Sequence, residues 1–330
     1  MRNIDLQWFA RELGYVSPLL SNLASDYSKK VREGLIGSIV FPRILVGKPS
    51  GRYATFSAEN AFKVPDVEMA GERSQATEFA SSGKMVDYAT SRKGLKSFID
   101  EGDLQFMDGP FKLWERQKAE LLVSKLELAQ EKRIADTIFA LSGRSTTLSG
   151  TGANKGKKWS GASDSAGGDP YGDIIDAIAQ MFFRPNLMVI PEAVYDAIEF
   201  HPRLINKLGE ANLIKKVDEA NLAKLFRIDR VIISKGKADF SKRNSDKTVT
   251  LGNIWQNNVV LAYTSDVWDE PCAGKTLMVK YPQADNSGYV VRTWDEEDGG
   301  ILGGEYVQVA HDVNELVVSK ELLYTIKEVL

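Results

Sequence analysis

The longest stretch of uniform pattern in the chain runs from Pro110 to Leu141, PFKLWERQKAELLVSKLELAQEKRIADTIFAL. Trp114, Leu121, Leu128 and Ala135 recur at heptad spacing, with Leu122, Ala129 and Phe139 beside them, which puts one apolar stripe along an amphipathic helix. Asp108 or Gly109 can cap its free amides, Pro110 has no amide to lose, and Ser142-Gly143 is a usual stop. At about 1.5 Å per residue the segment makes a rod of roughly 48 Å, long for a globular helix. Glu115, Arg116, Glu120, Glu127, Glu131, Arg133 and Asp136 make up the rest of its surface. Such a helix lies on something along one face and meets water or another chain along the others.

Upstream the pattern is looser. Leu6, Trp8, Phe9, Leu13, Leu19, Leu20 and Leu23 are spread among polar residues, and Pro18 interrupts a continuous helix. Residues 1 to about 38 therefore read as an arm whose apolar side chains dock on this subunit or on another. Ile39-Val40-Phe41 and Ile44-Leu45-Val46 are strand-like, Gly47 to Gly51 is turn chemistry, and Arg52 to Ser57 alternates like a strand with one wet face. Ala58 to Asp87 is polar and charged, and Tyr88 to Ile99 returns to apolar residues. A polar excursion of that length cannot bury enough surface to be stable alone, so it leans on a neighbour or is mobile. We expect Ser50 to Asp87 to serve assembly rather than the core.

Downstream, Ser142 to Gly168 is a Gly, Ser, Thr and Lys run that marks a joint. Its Gly152 to Lys158 stretch lacks the spacing, the magnesium-binding hydroxyl and the leading strand of a phosphate loop. Asp169-Pro170 caps a helix from Tyr171 to Phe183, Leu187 to Ile190 is a buried strand, and Pro191 starts a helix through Phe200. A turn of helix carries Leu204, Ile205 and Leu208, Asp218 caps another ending near Phe226, and Arg230 to Ser234 is a strand. Short strands then dominate: Val259 to Thr264, Thr276 to Tyr281, Tyr289 to Trp294, Tyr306 to Ala310, Glu315 to Ser319 and Leu323 to Val329. The acidic block Asp295 to Asp298 reads as a solvated mobile loop.

Composition narrows the function classes. A chain of 330 residues with 43% hydrophobic and 26% charged residues is ordinary for a soluble globular protein. A formal net charge of -3 gives no sign of a dedicated nucleic-acid binder. The lone Cys272 makes no intrachain disulfide, which fits a reducing compartment. No segment approaches the eighteen or so apolar residues that span a bilayer, and the charged N-terminus is unlike a signal peptide, so we expect the chain to be made in the cytoplasm. Neither His201 nor His311 has a metal-ligand partner at suitable spacing. His201 reads as structural, and His311-Asp312, at a strand end, lacks a nucleophile motif to make it half of a catalytic pair. We expect no enzyme activity, no cofactor and no metal.

The order of parts (arm, polar hairpin, long charged helix, glycine-rich joint, compact α/β unit, closing strands) resembles the major capsid proteins of tailed bacteriophages, the HK97-type fold. The residues that carry the resemblance are Phe41 to Phe62, Leu126 to Phe139 and Leu187 to Leu208. It implies an α+β fold with residues 1–45 as N-terminal arm, 46–92 as extended loop and 93–168 as peripheral domain with spine helix 110–141. Residues 169–300 are then the axial domain and 301–330 the strands that return to the periphery. It further implies self-assembly into hexamers and pentamers of an icosahedral shell around DNA, in the virion after assembly in the host cytoplasm. The partners are other copies, portal, scaffolding and decoration proteins, and packaged double-stranded DNA, with no membrane. Since the residues before Ile39 are too few for a cleaved scaffolding segment, a separate scaffolding protein, or none, is expected. Arg52, Tyr53, Phe56, Arg73, Lys84, Trp114, Glu131 and Arg133 are the expected assembly contacts, and Lys155, Lys157 and Lys158 the expected sequence-indifferent contacts to DNA. The alternatives are a cellular nanocompartment shell of the same fold and a cytosolic α/β enzyme with a dispersed site.

Overall fold

A computed structural model describes residues 15–32, 34–55, 64, 84–104, 111–148, 157–159, 168–208, 217–240, 250–284, 288–300 and 302–330. Strand β1 (Tyr15–Val16) leads into helix α1 (Pro18–Arg32), a helical turn α2 (Gly37–Val40) and β2 (Arg43–Val46). The limbs β3 (Ser50–Thr55) and β4 (Lys84–Ala89) precede β5 (Ser91–Asp100), α3 (Glu101–Leu104) and the long helix α4 (Phe111–Phe139). Next come β6 (Ser145–Thr147), α5 (Pro170–Ala179), β7 (Leu187–Pro191), α6 (Glu192–Ile198), α7 (Pro202–Leu208), α8 (Glu219–Phe226) and β8 (Arg230–Ser234). The chain closes with β9 (Lys237–Asp239), β10 (Leu251–Asn253), β11 (Val259–Ala262), β12 (Gly274–Val279), β13 (Tyr289–Glu296), β14 (Gly304–Val317) and β15 (Leu323–Lys327).

Two sheets carry the architecture. One runs β1-β13-β14-β12-β2, with β5 also paired to β14, and the other runs β6-β15-β11-β7-β8. In the first, β13 and β14 alternate buried and half-buried positions over much of their length, so they have one packed face and one open face. In the second, every residue of β7 and β11 is buried, as in strands covered on both sides. Met188, Ile190, Val259 and Leu261 meet Ile174, Val194, Ile198, Leu222 and Phe226 of α5, α6 and α8. Leu187, Val189, Val260 and Ala262, one residue out of step, meet Ile134, Ala135 and Ile138 of α4.

Helix α4 thereby joins the two sheets. Its early turns place Ala119, Leu122, Val123 and Leu126 on Val291, Val307, Val309 and Val313 of the first sheet. Its late turns pack on the second. At about 1.5 Å per residue its 29 residues give roughly 44 Å, enough to span both. The buried register differs from the expected heptad: Leu121 is 52% exposed and Ala129 is exposed.

Several local expectations are corrected. Pro18, where no continuous helix was expected, separates β1 from α1 and starts the latter: Ser17 accepts the Leu20 amide at 3.3 Å and proline at the first helical position has no amide to satisfy. From Pro18 on, this segment packs on its own subunit, with Ala24 buried against the first sheet and α4. Ile39 and Val40, expected to be strand-like, end the helical turn Gly37–Val40, whose first amides Glu131 holds. Helix α5 stops at Ala179 rather than Phe183. The expected strands at Tyr306 and Glu315 are one strand: Asp312 accepts from the Tyr281 hydroxyl and Asn314 donates to the Ala89 carbonyl, so the polar residues between are paired rather than turned out. Asp295 and Glu296 belong to β13, not to a loop. The sheets also divide the chain differently from a boundary at residue 300: β12 and β13 join the sheet of the early strands, and β15 joins the other.

Candidate assembly surfaces

The hairpin limbs stand outside both main sheets. β3 and β4 form a two-stranded ladder of their own, from Ser50 opposite Ala89 to Thr55 opposite Lys84. An isolated two-stranded ladder is marginal in water, so its root needs anchoring. Tyr53 and Tyr88 supply it by packing on a small cluster of Cys272, Leu277, Leu316 and Val318. That burial pushes the Tyr53 phenol above its usual range. Thr90 donates both its amide (2.8 Å) and its hydroxyl (3.0 Å) to the Pro49 carbonyl, closing the base. Farther out, Arg52 and Asp87 pair at 3.0 Å with side chains 73% and 79% exposed, which contributes little to stability. Lys84 lies at the outer end of the paired limbs. Phe56, Arg73 and most of the excursion from Ala58 to Asp87 lie outside the described residues, as do Lys155 and residues 1–14 of the arm.

Beneath the first sheet the long helix carries charge where only apolar side chains were expected. Glu127 and Glu131 are each 2% exposed, against the expectation that both face solvent. Arg43 of β2 donates through both terminal nitrogens to Glu127 and at 2.6 Å to Gln130, and the Tyr289 hydroxyl donates to Glu127. Burial, with Glu127 beside it, raises the Tyr289 phenol well above its usual range, so it remains a donor. Glu131 accepts from Ile36 N at 3.0 Å, Gly37 N at 2.5 Å and Trp255 Nε1 at 2.7 Å. Burial still raises its carboxyl. A Cβ on Gly37 would stand 2.6 Å from a Glu131 oxygen, so this approach requires glycine. Arg133 pairs with Glu315 of β14 at 2.7 Å. Glu131 and Arg133, expected to reach another copy, are thus engaged within their own subunit. Trp114 is half-buried with Leu20 and Tyr27 on the cluster under the first sheet.

The signal for these buried carboxylates was available in the spacing. Ala119, Leu122, Val123, Leu126, Ile134, Ala135 and Ile138 define a stripe on which Glu127, Gln130 and Glu131 fall, one helical turn apart. Arg43 carried no such signal, because its partners lie 84 and 87 residues away.

Little here resembles catalytic machinery. His311 is stacked on Tyr289 in mid-strand, and burial, followed by the charges of Arg43, Arg133 and Lys93, pushes its imidazole down to about 3. Its charged form is thus disfavoured where it sits. Lys158 donates to the Leu330 carbonyl at 2.8 Å, and both Lys157 and Lys158 are half-buried. Among the described residues no group of His, Cys, Asp and Glu could hold a metal ion, and no helix is long and apolar enough to cross a membrane.

No protein-family model matches the chain. The major capsid protein of Pseudomonas phage JBD67 is 22% identical over 316 residues, covering 93% of this chain and 94% of that protein. The crystal structure of a phage-related protein from Bordetella bronchiseptica RB50 is similar at a TM-score of 0.68 and 18% identity, covering 96% of this chain and 98% of that one. The capsid structure of cyanophage P-SCSP1u is similar at 0.54 and 11% identity, over 87% and 86% of the two chains. The long helix bridging two sheets, the separate hairpin limbs and these likenesses agree: the chain has the HK97-type fold of phage capsid subunits, and its curated homologue is a phage major capsid protein.

Proposed function

We propose that the chain is the major capsid protein of a tailed bacteriophage, building a closed shell from copies of itself. The observation that carries this reading is the likeness to a phage major capsid protein along nearly the whole of both chains, 93% of this one and 94% of the other. The physics is compatible. A ring of head-to-tail contacts needs two different complementary surfaces on one chain, and a ladder outside both main sheets provides one of them. In this reading the hairpin reaches over an adjacent copy, with Arg52, Tyr53 and Lys84 on its limbs, Phe56 and Arg73 in the sequence between them, and Trp114 near the receiving helix. The first sheet with the early turns of α4 is the peripheral unit, and the second sheet with α5 to α8 is the axial one. Hexamers and pentamers close around double-stranded DNA that the shell holds without reading sequence, and the role is structural rather than enzymatic.

The test is negative-stain microscopy and light scattering of the purified protein. Rings, sheets, tubes or shells support the reading, and a small closed oligomer under all assembly conditions overturns it. One observation favours a second reading, a cellular nanocompartment: the structure of the holo-SrpI encapsulin complex from Synechococcus elongatus PCC 7942 is similar at a TM-score of 0.50 and 10% identity. Particle contents separate the two, nucleic acid for the first and protein cargo for the second.

A further inference from the structure

The loop between β11 and β12 reads Ser265-Asp266-Val267-Trp268-Asp269-Glu270-Pro271. Its neighbours on both sides are fully buried strands, yet Val267 and Trp268 are 53% and 39% exposed. The loop is built to hold them outward. Lys275, itself buried, donates its ammonium to the carbonyls of Val267 at 2.5 Å, Trp268 at 2.6 Å and Glu270 at 3.3 Å. The Ser265 hydroxyl donates to the Glu270 carboxylate and accepts the Val267 amide at 3.2 Å. A lysine whose charge is used on loop carbonyls fixes the loop without covering its apolar side chains. Most of the ordering cost of a contact is then already met. Tryptophan in such a position is the residue type that most often anchors an interface. Around the apolar pair stand exposed Asp266, Asp269 and Glu270.

The matching surface lies toward the other end of β12. A groove of about 570 Å³ opens beside Tyr281, with Val16, Val290 and Ala310 among its lining residues. Gly94 of β5 keeps it open, because a Cβ there would come within 3.0 Å of the Ala310 methyl. Arg92, Lys93 and Lys96 line it as well. Asp312, buried beneath Arg92 at 3.9 Å, is the carboxylate among them, so the groove is net positive where the loop is negative. Strand β12 is six residues long, roughly 20 Å at about 3.3 Å per residue, which separates loop and groove within one copy.

We infer that the Val267–Trp268 loop of one copy seats in the groove between β5, β13 and β14 of a second copy, its acidic rim against Arg92, Lys93 and Lys96. The contact joins two different surfaces of the same chain, so it repeats from copy to copy around a ring. It rests on the reading that copies assemble, and it uses a different part of the molecule from the hairpin.

The test follows assembly of the full chain by light scattering and microscopy, with circular dichroism as the check on folding. Trp268→Ala is expected to fold and to assemble about tenfold more slowly or not at all. Asp269→Lys weakens assembly, and adding Lys96→Asp restores it. Asp266→Cys mixed with Gln308→Cys under a mild oxidant such as copper phenanthroline, which takes up the two thiol electrons, gives an intermolecular disulfide that neither variant forms alone. Cys272 does not compete, because it is buried and its thiol is pushed up to about 11 by that burial. If Trp268→Ala builds particles at the wild-type rate and the mixture gives no disulfide, the contact is wrong while the capsid reading stands. If the wild-type protein builds no particles, that reading and this contact fall together.

Discussion

The two sheets bury their faces by different means. The second sheet is covered on both sides by apolar side chains, around Met188, Ile190, Val259 and Leu261 on one face and Leu187, Val189, Val260 and Ala262 on the other. Over much of β13 and β14 the first sheet has one packed face, and beneath it Arg43, Glu127, Gln130 and Tyr289 form a buried ionic cluster among the aliphatic residues. Its other face holds the groove and, farther along, a half-exposed aromatic row of Phe98, Tyr306 and Trp294, with Lys96 over the Tyr306 ring at 4.3 Å. An apolar core tolerates any packing that fills volume, whereas a buried ion pair is stable only in one arrangement. The lesson is that the unit with an open face also carries the contacts that fix how strand, helix and sheet sit together.

The largest expected effect breaks the ionic side of that contrast. Arg43→Ala leaves Glu127 buried without its cation and should cost about 3 to 5 kcal/mol in urea denaturation of the unassembled subunit. Arg43→Met combined with Glu127→Leu should recover most of that loss. If the double variant is no better than the single one, the cluster contributes more than charge compensation.

On the apolar side, Leu261→Ala should cost about 3 kcal/mol by leaving a cavity between α5 to α8 and the sheet. The same denaturation curve reads it, and no charge change elsewhere should rescue it.

A smaller effect is pH-dependent and belongs to the first sheet alone. Glu305, near the start of β14, is pushed up to about 7 from an ordinary 4.5, first by burial and then by Glu115 and Asp295. Between those values the native state keeps a proton that the unfolded chain has released, so stability falls as pH rises through that window and is lowest above about 7. Glu305→Gln should match wild type near pH 4 and exceed it by about 1 kcal/mol near pH 8. A flat difference across that range would show that the side chain is not titrating in the folded protein.

The smallest change concerns the hairpin. Asp87→Asn removes the exposed pair with Arg52 and should alter subunit stability by less than about 0.5 kcal/mol, so any larger effect on assembly is a contact with another copy.

How much of this was legible in the chain depends on how far each cause lies along it. Strand Leu187 to Pro191 and helix Glu219 to Phe226 were readable because apolar runs, Pro191 and the Asp218 cap act within a few residues. The turn at Gly37 was not, since β-branched residues there favour a strand and the carboxylate that makes it helical lies 94 residues away. Glu127 and Glu131 were read as solvated because charge on a long helix usually is, and only the packed stripe shows otherwise. The outgoing hairpin limb was readable from the alternation of Arg52 to Ser57, but the returning limb was not. It is Lys84–Ala89, mostly inside the stretch read as a polar excursion, while most of Tyr88 to Ile99 pairs with β14, a partner about 210 residues away.

What the sequence determined by itself is the kinds and order of the elements: a long amphipathic helix, polar-tipped limbs, a compact α/β unit and closing strands, all set by local periodicity, caps and turn residues. Tertiary structure alone decided which sheet each late strand joins, that α4 bridges both sheets, and that its inward charges meet Arg43, Ile36, Gly37 and Trp255. The physical reason is that a buried charge or an edge strand is stabilised only by partners distant in sequence, which local pattern does not specify.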